Sequence, residues 1–400
     1  MSRKMYTAIA AAMLLSALFV VSMNIIVHAD AGSITIQSNG AIVPANGVIT
    51  TSDNVTYTVQ SDTNMSIIVQ KASIILNGNG HVLQCGGQAF GIGVEENNVT
   101  ITNLTVKDFV SESNAGISAS FGVSYTKIYN CTITNNYEGI NFDGNQNSFI
   151  YNNQILSFNA AQAGIWITDC VNISIAYNNF TSVNAGYAIS LYSGDTFIFR
   201  NNFTGFGGYV HEQHKLYAAD NIFTRNIFIN SGFSFGYEVA NNTIYHNDFF
   251  NSSTVVHSAF WLRFNTFDKG YPSCGNFWAS HNLTDEKKGK YQNESGSDHI
   301  ADNAYNISYI NSTCAFEVDH YPLNISYLTY SDSVLVKYLN LSDVNDDSVV
   351  NMRDIAAAIY ASGTKPGDAK WNWFADVNGD FRIDNADITW IQQNFNKRFP

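Results

Sequence analysis

The stretch GIWITDCVNISIAYNNFTSVNA, residues 164–185, decides the fold. Two runs rich in β-branched and aromatic residues, GIWI and ISIAY, are separated by turn-forming residues, and a third short run, FT, follows an asparagine pair. Three strands and three bends in a unit of this length describe one coil of a parallel β-helix. Each strand then hydrogen-bonds to the equivalent strands of the neighbouring coils, at a spacing of about 4.8 Å.

Related stretches recur along residues 97–267, with an asparagine at one recurring position. The spacings between successive asparagines are 27, 22, 26, 23, 25, 21 and 18 residues, as expected for constant strands joined by loops of variable length. An asparagine at a bend adopts the left-handed conformation at low cost, and its amide can bond the equivalent side chain of the next coil. We therefore predict an all-β solenoid with an asparagine column. The column consists of Asn103, Asn130, Asn152, Asn178, Asn201, Asn226, Asn247 and Asn265.

Two further columns share this register. Phenylalanines follow the asparagines by two residues and are expected to stack inside the coils; they are Phe180, Phe203, Phe228 and Phe249. Turn-forming residues precede the asparagines by six positions; they are Asn97, Ser124, Gln146, Asn172, Asp195, Asp220 and Asn241. The short β-prone runs of residues 32–70 predict the first coils and a cap at the N-terminal end.

The N-terminus predicts secretion. Arg3 and Lys4 precede an apolar run over residues 8–21, and Ala29-Asp30-Ala31 resembles a signal-peptidase site. An uncleaved membrane anchor is the alternative, which Asn24 and His28 disfavour because they interrupt the apolar region. Glycosylation sequons are frequent, as expected of a secreted glycoprotein; examples are Asn54, Asn98, Asn130, Asn179, Asn241, Asn306 and Asn340.

The charge balance excludes one class of partner and favours another. The formal net charge is −13, with only 20 lysines and arginines in 400 residues. Nucleic-acid binding needs clustered cations, so we expect no nucleic-acid partner. An acidic chain is suited to divalent cations.

The motifs NGNGHVL (77–83) and NVTITNLTV (98–106), followed by the asparagine-column coils, resemble the NosD-type, carbohydrate-binding and sugar-hydrolase class of right-handed parallel β-helices. The resemblance is greatest to secreted archaeal members, whose coils commonly end in motifs similar to YPSCGNFW (271–278), GSDHIADNAY (296–305) and DHYPL (319–323). It spans roughly residues 70–323 and implies a right-handed parallel β-helix that acts on or binds carbohydrate. Copper is not favoured, because copper sites use His, Met or Cys clusters.

The five cysteines cannot all pair within the chain. Cys274 replaces a glycine of the family motif, and Cys314 lies in an insertion of the same segment, so the resemblance supports a disulfide between them. Cys85, Cys131 and Cys170 are expected to be buried as small apolar residues.

The C-terminal region has a different composition and a duplicated motif. DVNDDSVVNMRD (343–354) and DVNGDFRIDNAD (376–387) resemble the paired loops of a type I dockerin, with the ligand spacing of an EF-hand loop. The resemblance implies two Ca²⁺ ions and a cohesin-like protein partner, while stabilisation of the C-terminus within the chain is the alternative. The implied ligands are Asp343, Asn345, Asp347, the carbonyl of Val349, Asn351, Asp354, Asp376, Asn378, Asp380, the carbonyl of Arg382, Asp384 and Asp387. Ser348 and Phe381 replace the usual glycine at position six.

Candidate catalytic residues lie off the asparagine column. Asp143, Asp169 and Glu238 each precede a column asparagine by nine residues, so the first two are expected about 5 Å apart on adjacent coils. Such carboxylates could bind calcium or divide into acid and base, as in glycoside hydrolysis, or they could simply cap turns. His211 and His214, in the glycine-rich stretch 205–215, could serve as bases or lie in a solvated loop.

Asp298 and Asp302 lie in the motif that ends the coils. They offer either a further calcium site or two loop-ordering side chains.

The sequence thus predicts a signal peptide (1–31), a capped β-helix (32–323), a linker (324–340) and a dockerin-like calcium-binding domain (341–400). We expect a secreted or cell-surface protein that binds polysaccharide or acts on it as a lyase or glycoside hydrolase. A non-catalytic adhesion or structural protein that binds glycans is the alternative, because fold alone does not fix function.

Overall fold

The computed structural model describes residues 32–398 except 113, 157–162, 183–186, 206–210, 213–219, 232, 236–240, 253, 258–264, 311–316 and 328–340. Side chains are not described for 211–212, 233–235, 254–257 and 308–310. The predicted signal segment lies outside the described residues, as does most of the predicted linker. Within the described part of the chain, no helix is both long enough and apolar enough to cross a membrane.

Three long sheets form the walls of a right-handed parallel β-helix, which confirms the predicted fold class. Sheet 1 has twelve described strands, and all but the first pair with their neighbours in parallel. In spatial order they are Ile42–Val43, Ser33–Ile36, Ser66–Val69, Phe90–Val94, Ala115–Ala119, Glu138–Asp143, Ala163–Thr168, Tyr187–Tyr192, His211–Glu212, Phe233–Phe235, Thr254–His257 and Ser308–Ile310.

Sheets 2 and 3 supply the other two strands of each coil. Sheet 2 contains Ile49–Thr51, Thr56–Val59, Ile75–Asn77, Thr100–Thr102, Lys127–Tyr129, Gln146–Tyr151, Val171–Ala176, Thr196–Phe199, Ile222–Thr224 and Thr243–Tyr245. Sheet 3 contains Val82–Gln84, Thr105–Lys107, Thr132–Thr134, Gln154–Leu156, Asn179–Thr181, Asn202–Thr204, Ile227–Ile229, Asp248–Phe250 and Phe277–Trp278. Apolar residues alternate towards the interior on every wall, as the two-residue period of a strand requires.

The remaining elements follow the coils. Two short antiparallel pairs join Lys287–Lys288 to Glu294–Ser295 and Tyr305–Asn306 to Val318–Asp319. Two helices, α1 (Met352–Ala361) and α2 (Asn385–Gln393), belong to the C-terminal module, which has its own apolar core.

The predicted phenylalanine stack is confirmed inside the helix. The ring centroids of Phe180, Phe203, Phe228 and Phe249 are 4.8, 4.7 and 4.8 Å apart, and all four rings are buried. Trp278 continues the stack at 4.1 Å from Phe249. Parallel in-register strands bring equal positions of successive coils into contact, so one aromatic position per coil becomes a continuous column.

The asparagine column differs from the prediction, because its members occupy three positions rather than one. The buried ladder consists of Asn153, Asn178, Asn201, Asn226, Asn247 and Asn276. Each side-chain oxygen accepts the backbone N–H of the preceding member, as between Asn178 and Asn201 at 2.9 Å. Each amide also donates to a strand carbonyl of an earlier coil, as from Asn201 to Ile175 at 2.8 Å.

Asn103, Asn130 and Asn152 lie one residue before the ladder position. They occupy exposed left-handed bends, with φ between 53° and 56°. Their amides bond outside the coil, where Asn152 donates to Asn130 at 2.7 Å and Asn103 donates to Asn77 at 3.2 Å. The left-handed backbone and the buried ladder were predicted for one residue but belong to neighbours, because a corner needs one residue to turn the chain and another to cap the freed N–H group. Asn265 belongs to a second ladder, where it accepts from the backbone of Asn242.

The main ladder ends on a buried carboxylate. Asp319 accepts the backbone N–H of Asn276 at 2.8 Å and the indole N–H of Trp278 at 2.9 Å. Burial raises the pKa of Asp319 to about 7, while the N–H donors of Trp278 and Asn276 act in the opposite direction. The last coil is therefore closed by a group that titrates near neutrality.

The cysteines lie in apolar surroundings. Cys131 and Cys170 are buried, and Cys85 is half-buried. Cys274 is buried, and its Sγ lies 3.0 Å from the carbonyl oxygen of Pro272, while its disulfide with Cys314 stays a prediction. Its intended partner, Cys314, lies outside the described residues. Cys274 packs in an apolar cluster with Phe277 and Leu323.

Removing one ladder amide should destabilise the helix. Asn226→Ala leaves the backbone N–H of Asn201 and the carbonyl of Ile198 without a partner in the interior. We expect the free energy of unfolding to fall by roughly 2–4 kcal/mol, measured by denaturant titration. Asn152→Gly, at an exposed bend, is the control and should change it by less than about 1 kcal/mol. Equal losses would contradict the division between ladder and bend.

The end of the ladder predicts a pH dependence. Because the folded pKa of Asp319 lies above its unfolded value of about 3.9, its contribution to stability is fully present below about pH 4 and is lost as the pH rises through about 7. The stability of the wild type relative to Asp319→Asn should therefore fall between pH 4 and 8, by at most about 4 kcal/mol.

Asp53 provides the control of opposite sign. Backbone N–H groups of Thr56 and Val55 lower the pKa of this exposed carboxyl. The stability of the wild type relative to Asp53→Asn should therefore fall only as the pH drops into the acid range. A pH-independent difference for Asp319→Asn would contradict the assignment.

Candidate functional site

The first calcium loop places three carboxylates around one point. Oxygens of Asp343, Asp347 and Asp354 all lie within 4.8 Å of one another, and Asp343 and Asp354 are buried. Asp354 holds the loop closed by accepting the backbone N–H groups of Val344 at 2.8 Å and Asn345 at 3.1 Å. Convergent oxygens of this kind are the ligands that Ca²⁺ requires.

The second loop repeats the same hydrogen bonds 33 positions later. Asp387 accepts from Val377 at 2.9 Å and from Asn378 at 3.2 Å, and Asp376 accepts the backbone N–H of Asp380 at 3.1 Å. Asp376 and Asp387 are fully buried. The two copies of the sequence motif therefore form loops with the same hydrogen-bond pattern.

Each loop ends by starting a helix. Asn351 caps α1 and Asp384 caps α2, and each forms a reciprocal capping box with the acid three residues later, Asp354 or Asp387. Asp354 or Asp387 thus both closes its calcium loop and completes the capping box of the helix that follows.

The loop carboxylates are suited to a cation. Burial raises the pKa of Asp343 to about 6 and that of Asp376 to about 7, and neighbouring carboxylates act in the same direction. Buried like charges need a compensating cation, and Ca²⁺ supplies it with oxygen-rich coordination. The residues present therefore fit the ion.

Position six departs from the usual glycine at both loops but keeps its backbone conformation. Ser348 has φ 70° and Phe381 has φ 66°, in the left-handed region where glycine is favoured. Phe381 is half-buried and lies against aromatic rings of the β-helix, so a packing contact accompanies its strained backbone.

The outer face of sheet 1 carries a second candidate site, which is built from aromatic and polar side chains. Trp166 points outward between the buried Ile165 and Ile167, and its ring centroid lies 5.1 Å from that of Tyr192 on the next coil. Both rings are partly exposed, and the indole N–H donates to the Thr168 hydroxyl at 2.8 Å. A pair of partly exposed aromatic rings offers an apolar platform beside polar atoms, as sugar rings require.

Polar side chains adjoin this platform on the preceding coil. Asn141 is the register partner of Trp166 and donates its amide to the carboxylate of Glu138. Burial raises the pKa of Glu138, while the bond from Asn141 lowers it. We call Glu138, Asn141, Asp143, Trp166 and Tyr192 the sheet 1 face.

The structure brings Asp143 and Asp169 to adjacent coils but not to equal positions. Asp143 ends its strand and pairs with Thr168, so Asp169 lies one residue further along, in a left-handed bend with φ 51°. Both are exposed. Their relation is therefore diagonal rather than the direct stacking predicted from spacing.

The other candidate catalytic residues are described only in part. His211 starts a short strand of sheet 1 and pairs with Ser190, so its backbone belongs to the same wall as the sheet 1 face. Its side chain, Glu238 and His214 lie outside the described residues.

Asp298 and Asp302 order a loop. Asp298 accepts from the backbone of Gly289 and the side chain of Gln292, and Asp302 accepts from the backbone N–H groups of residues 286 and 287. These bonds show that both carboxylates order the loop, and the further calcium site stays a prediction.

Sequence reasoning missed the aromatic and polar members of the sheet 1 face. A usable signal was present, because the alternation Ile165-Trp166-Ile167 places the tryptophan on the outer side of a strand whose inner side is apolar. Acidic residues were sought by their distance from the asparagine column, and that column was one residue out of register.

Comparison with known families agrees with this division of the chain. Residues 72–214 match the model of the right handed beta helix region, and residues 341–396 match that of the dockerin type I domain. No curated protein was found to match the chain. Dockerin type I domains bind calcium, so the C-terminal module is a calcium-binding module.

Calorimetric titration of the chain from residue 32 onward should show two Ca²⁺ ions bound. Asp343→Ala removes a first-position carboxylate from one loop, so the stoichiometry should fall from two to one. Asp368→Asn, in the same module but outside both loops, is the control and should leave two ions bound. Unchanged stoichiometry in Asp343→Ala would contradict the ligand assignment.

Proposed function

We propose that the protein is an extracellular polysaccharide-binding and polysaccharide-degrading β-helix that is attached to a larger assembly through its calcium-binding dockerin module. The observation that carries the proposal is the sheet 1 face, where Trp166 and Tyr192 form an aromatic platform beside the Glu138 and Asn141 pair. Sugar rings stack on aromatic faces, and their hydroxyl groups exchange hydrogen bonds with amides and carboxylates.

The geometry favours one carboxylate pair for chemistry. Glu138 and Asp143 are five residues apart on one strand, about 16 Å along its axis, which exceeds the separation of glycosidase carboxyl groups, about 5–9.5 Å. Asp143 and Asp169 lie diagonally on adjacent coils and are closer to that range. We therefore assign the acid and base, or a bound cation, to Asp143 and Asp169.

A non-catalytic glycan-binding protein is the second candidate. It is favoured by Asp169, because a left-handed exposed aspartate at a bend is also the ordinary residue for that backbone conformation. In that case, the platform binds a polysaccharide chain and the dockerin module sets where it is held.

The dockerin module is the basis for proposing a partner in the assembly. Dockerins bind cohesins, and the outer side of α1 exposes Met352, Ile359 and Tyr360, with 56–66% of each side chain accessible. Met352 and Arg353 hold positions ten and eleven of the first loop, where the family carries recognition residues. We propose a cohesin-like protein as partner of this surface.

The test is incubation of residues 32–400 with a panel of polysaccharides, with and without calcium. We expect binding of at least one polymer, and Trp166→Ala should weaken it about tenfold, because a stacked aromatic contact contributes about 0.5–1.5 kcal/mol beyond the area it buries. Tyr291→Ala removes an exposed aromatic outside the sheet 1 face and should have no effect.

The products released from the polysaccharide distinguish the degrading enzyme from the non-catalytic glycan-binding protein. Near-ultraviolet absorbance from unsaturated uronides indicates a lyase, new reducing ends without it indicate a hydrolase, and Asp143→Asn should abolish either while retaining binding. Binding without product would establish the non-catalytic candidate. Neither binding nor product with any polymer would overturn the proposal.

A further inference from the structure

Two arginines occupy the same corner of successive coils. Arg200 and Arg225 follow the register partners Phe199 and Thr224, and both have left-handed backbones, with φ 50° and 58°. Both guanidinium groups lie over the ring of Phe199, at 5.1 and 5.9 Å from its centroid. Arg225 is fully buried although it belongs to the surface of the β-helix, because the C-terminal module covers it.

Each arginine contacts the first residue of one calcium loop. Arg200 donates from Nη1 to the carbonyl oxygen of Asp376 at 3.2 Å, and Arg225 donates from Nη2 to that of Asp343 at 3.2 Å. Asp343 and Asp376 also direct their carboxylates into the loops. One residue in each loop thus presents its side chain to the metal site and its carbonyl to the β-helix.

The first loop makes a further charged contact. Asp346 is buried and pairs with Arg225 at 3.0 Å and Lys269 at 3.3 Å. Asp346 is not one of the predicted calcium ligands, so its charge is available to the β-helix.

The second loop makes an aromatic contact. The ring of Phe381 lies 5.2 Å from Tyr151 and 5.1 Å from Tyr177, and Phe374 lies 5.1 Å from Phe199. Tyr151 and Phe199 belong to one outward register column of sheet 2. Buried aromatic pairs of this geometry add about 0.5–1.5 kcal/mol each beyond their area.

We propose that the outer face of sheet 2 is a built-in receptor for the chain's own dockerin module, and that calcium controls the docking. The loop carbonyls that the two arginines recognise come from residues whose carboxylates line the calcium sites. Without the ion, repulsion among the buried carboxylates opens the loops and displaces those carbonyls. By linkage, docking in turn raises the affinity of the module for calcium.

Phe381 is the residue that distinguishes docking onto sheet 2 from calcium binding. At position six a glycine would adopt the observed φ of 66° without strain, so phenylalanine costs the loop stability unless its side chain is used elsewhere. Its ring is used at the interface with Tyr151 and Tyr177. Ser348, the equivalent residue of the first loop, donates its backbone N–H to the carboxylate of Asp343 and serves as the matched position.

The experiment follows docking by small-angle X-ray scattering and near-ultraviolet circular dichroism on residues 32–400, with calcium and with a chelator. The wild type should be compact with calcium, and chelation should raise its radius of gyration and weaken the aromatic signal. A compact, unchanged protein after chelation would overturn calcium control.

Two glycine variants separate docking from calcium binding. Phe381→Gly should still bind two ions by calorimetry, but it should be extended even with calcium present. Ser348→Gly, the control, should bind two ions and remain compact. A compact Phe381→Gly protein in calcium would overturn the receptor assignment, and its retained calcium binding shows that the module is folded.

A variant on the β-helix side tests the linkage. Arg200→Met keeps an apolar stem of similar length, lies outside the module and touches no predicted calcium ligand side chain. The calcium dissociation constant of the second loop should nevertheless rise about 5- to 100-fold. An unchanged constant would show that docking and calcium binding are independent and would overturn the coupling.

Discussion

The buried asparagine ladder is the interaction on which the rest of the structure depends. At one corner of every coil the chain turns through a left-handed residue, and the next backbone N–H would be unpaired in the interior. The side-chain oxygen of the ladder asparagine in the neighbouring coil accepts this N–H. The side-chain NH₂ group of each ladder asparagine donates to a strand carbonyl of an earlier coil. Each coil is thereby held in one register, and that register decides which residues of every strand face outward.

This register determines which side chains lie together on two outward faces of the β-helix. On sheet 1 it aligns Asn141 with Trp166 and brings Tyr192 beside the indole, which creates a platform that no single coil contains. On sheet 2 it aligns Tyr151 with Phe199 through Ala176, and it places Arg200 and Arg225 at the same corner of successive coils. The same fold thus presents one polar and aromatic surface to solvent and another to the C-terminal module.

Much of this could be predicted from the sequence, for physical reasons that also explain the failures. The period and the phenylalanine positions identify the coils because strand stacking repeats local patterns. The calcium loops are identifiable because their ligands are close in sequence. The register of the corner was missed by one residue, because asparagine suits both the left-handed bend of Asn152 and the buried ladder position of Asn153. The contact between Arg225 and Asp346 joins residues 121 positions apart, and no local pattern encodes it.

The departures from the dockerin pattern are where the two parts of the chain meet. Phe381 breaks the rule for position six, and it contacts the β-helix. Asp346 is an acid beyond the ligand set, and it pairs with Arg225. A local violation that is compensated by a distant contact is the expected sign of a residue selected for an interface.

The seating of both calcium loops on the coil wall also defines a path for mechanical load. Tension applied to α1 is transmitted through the contacts of Asp343 and Asp376 to Arg225 and Arg200 on the outer face of sheet 2. The load therefore enters the β-helix through the side wall of two successive coils.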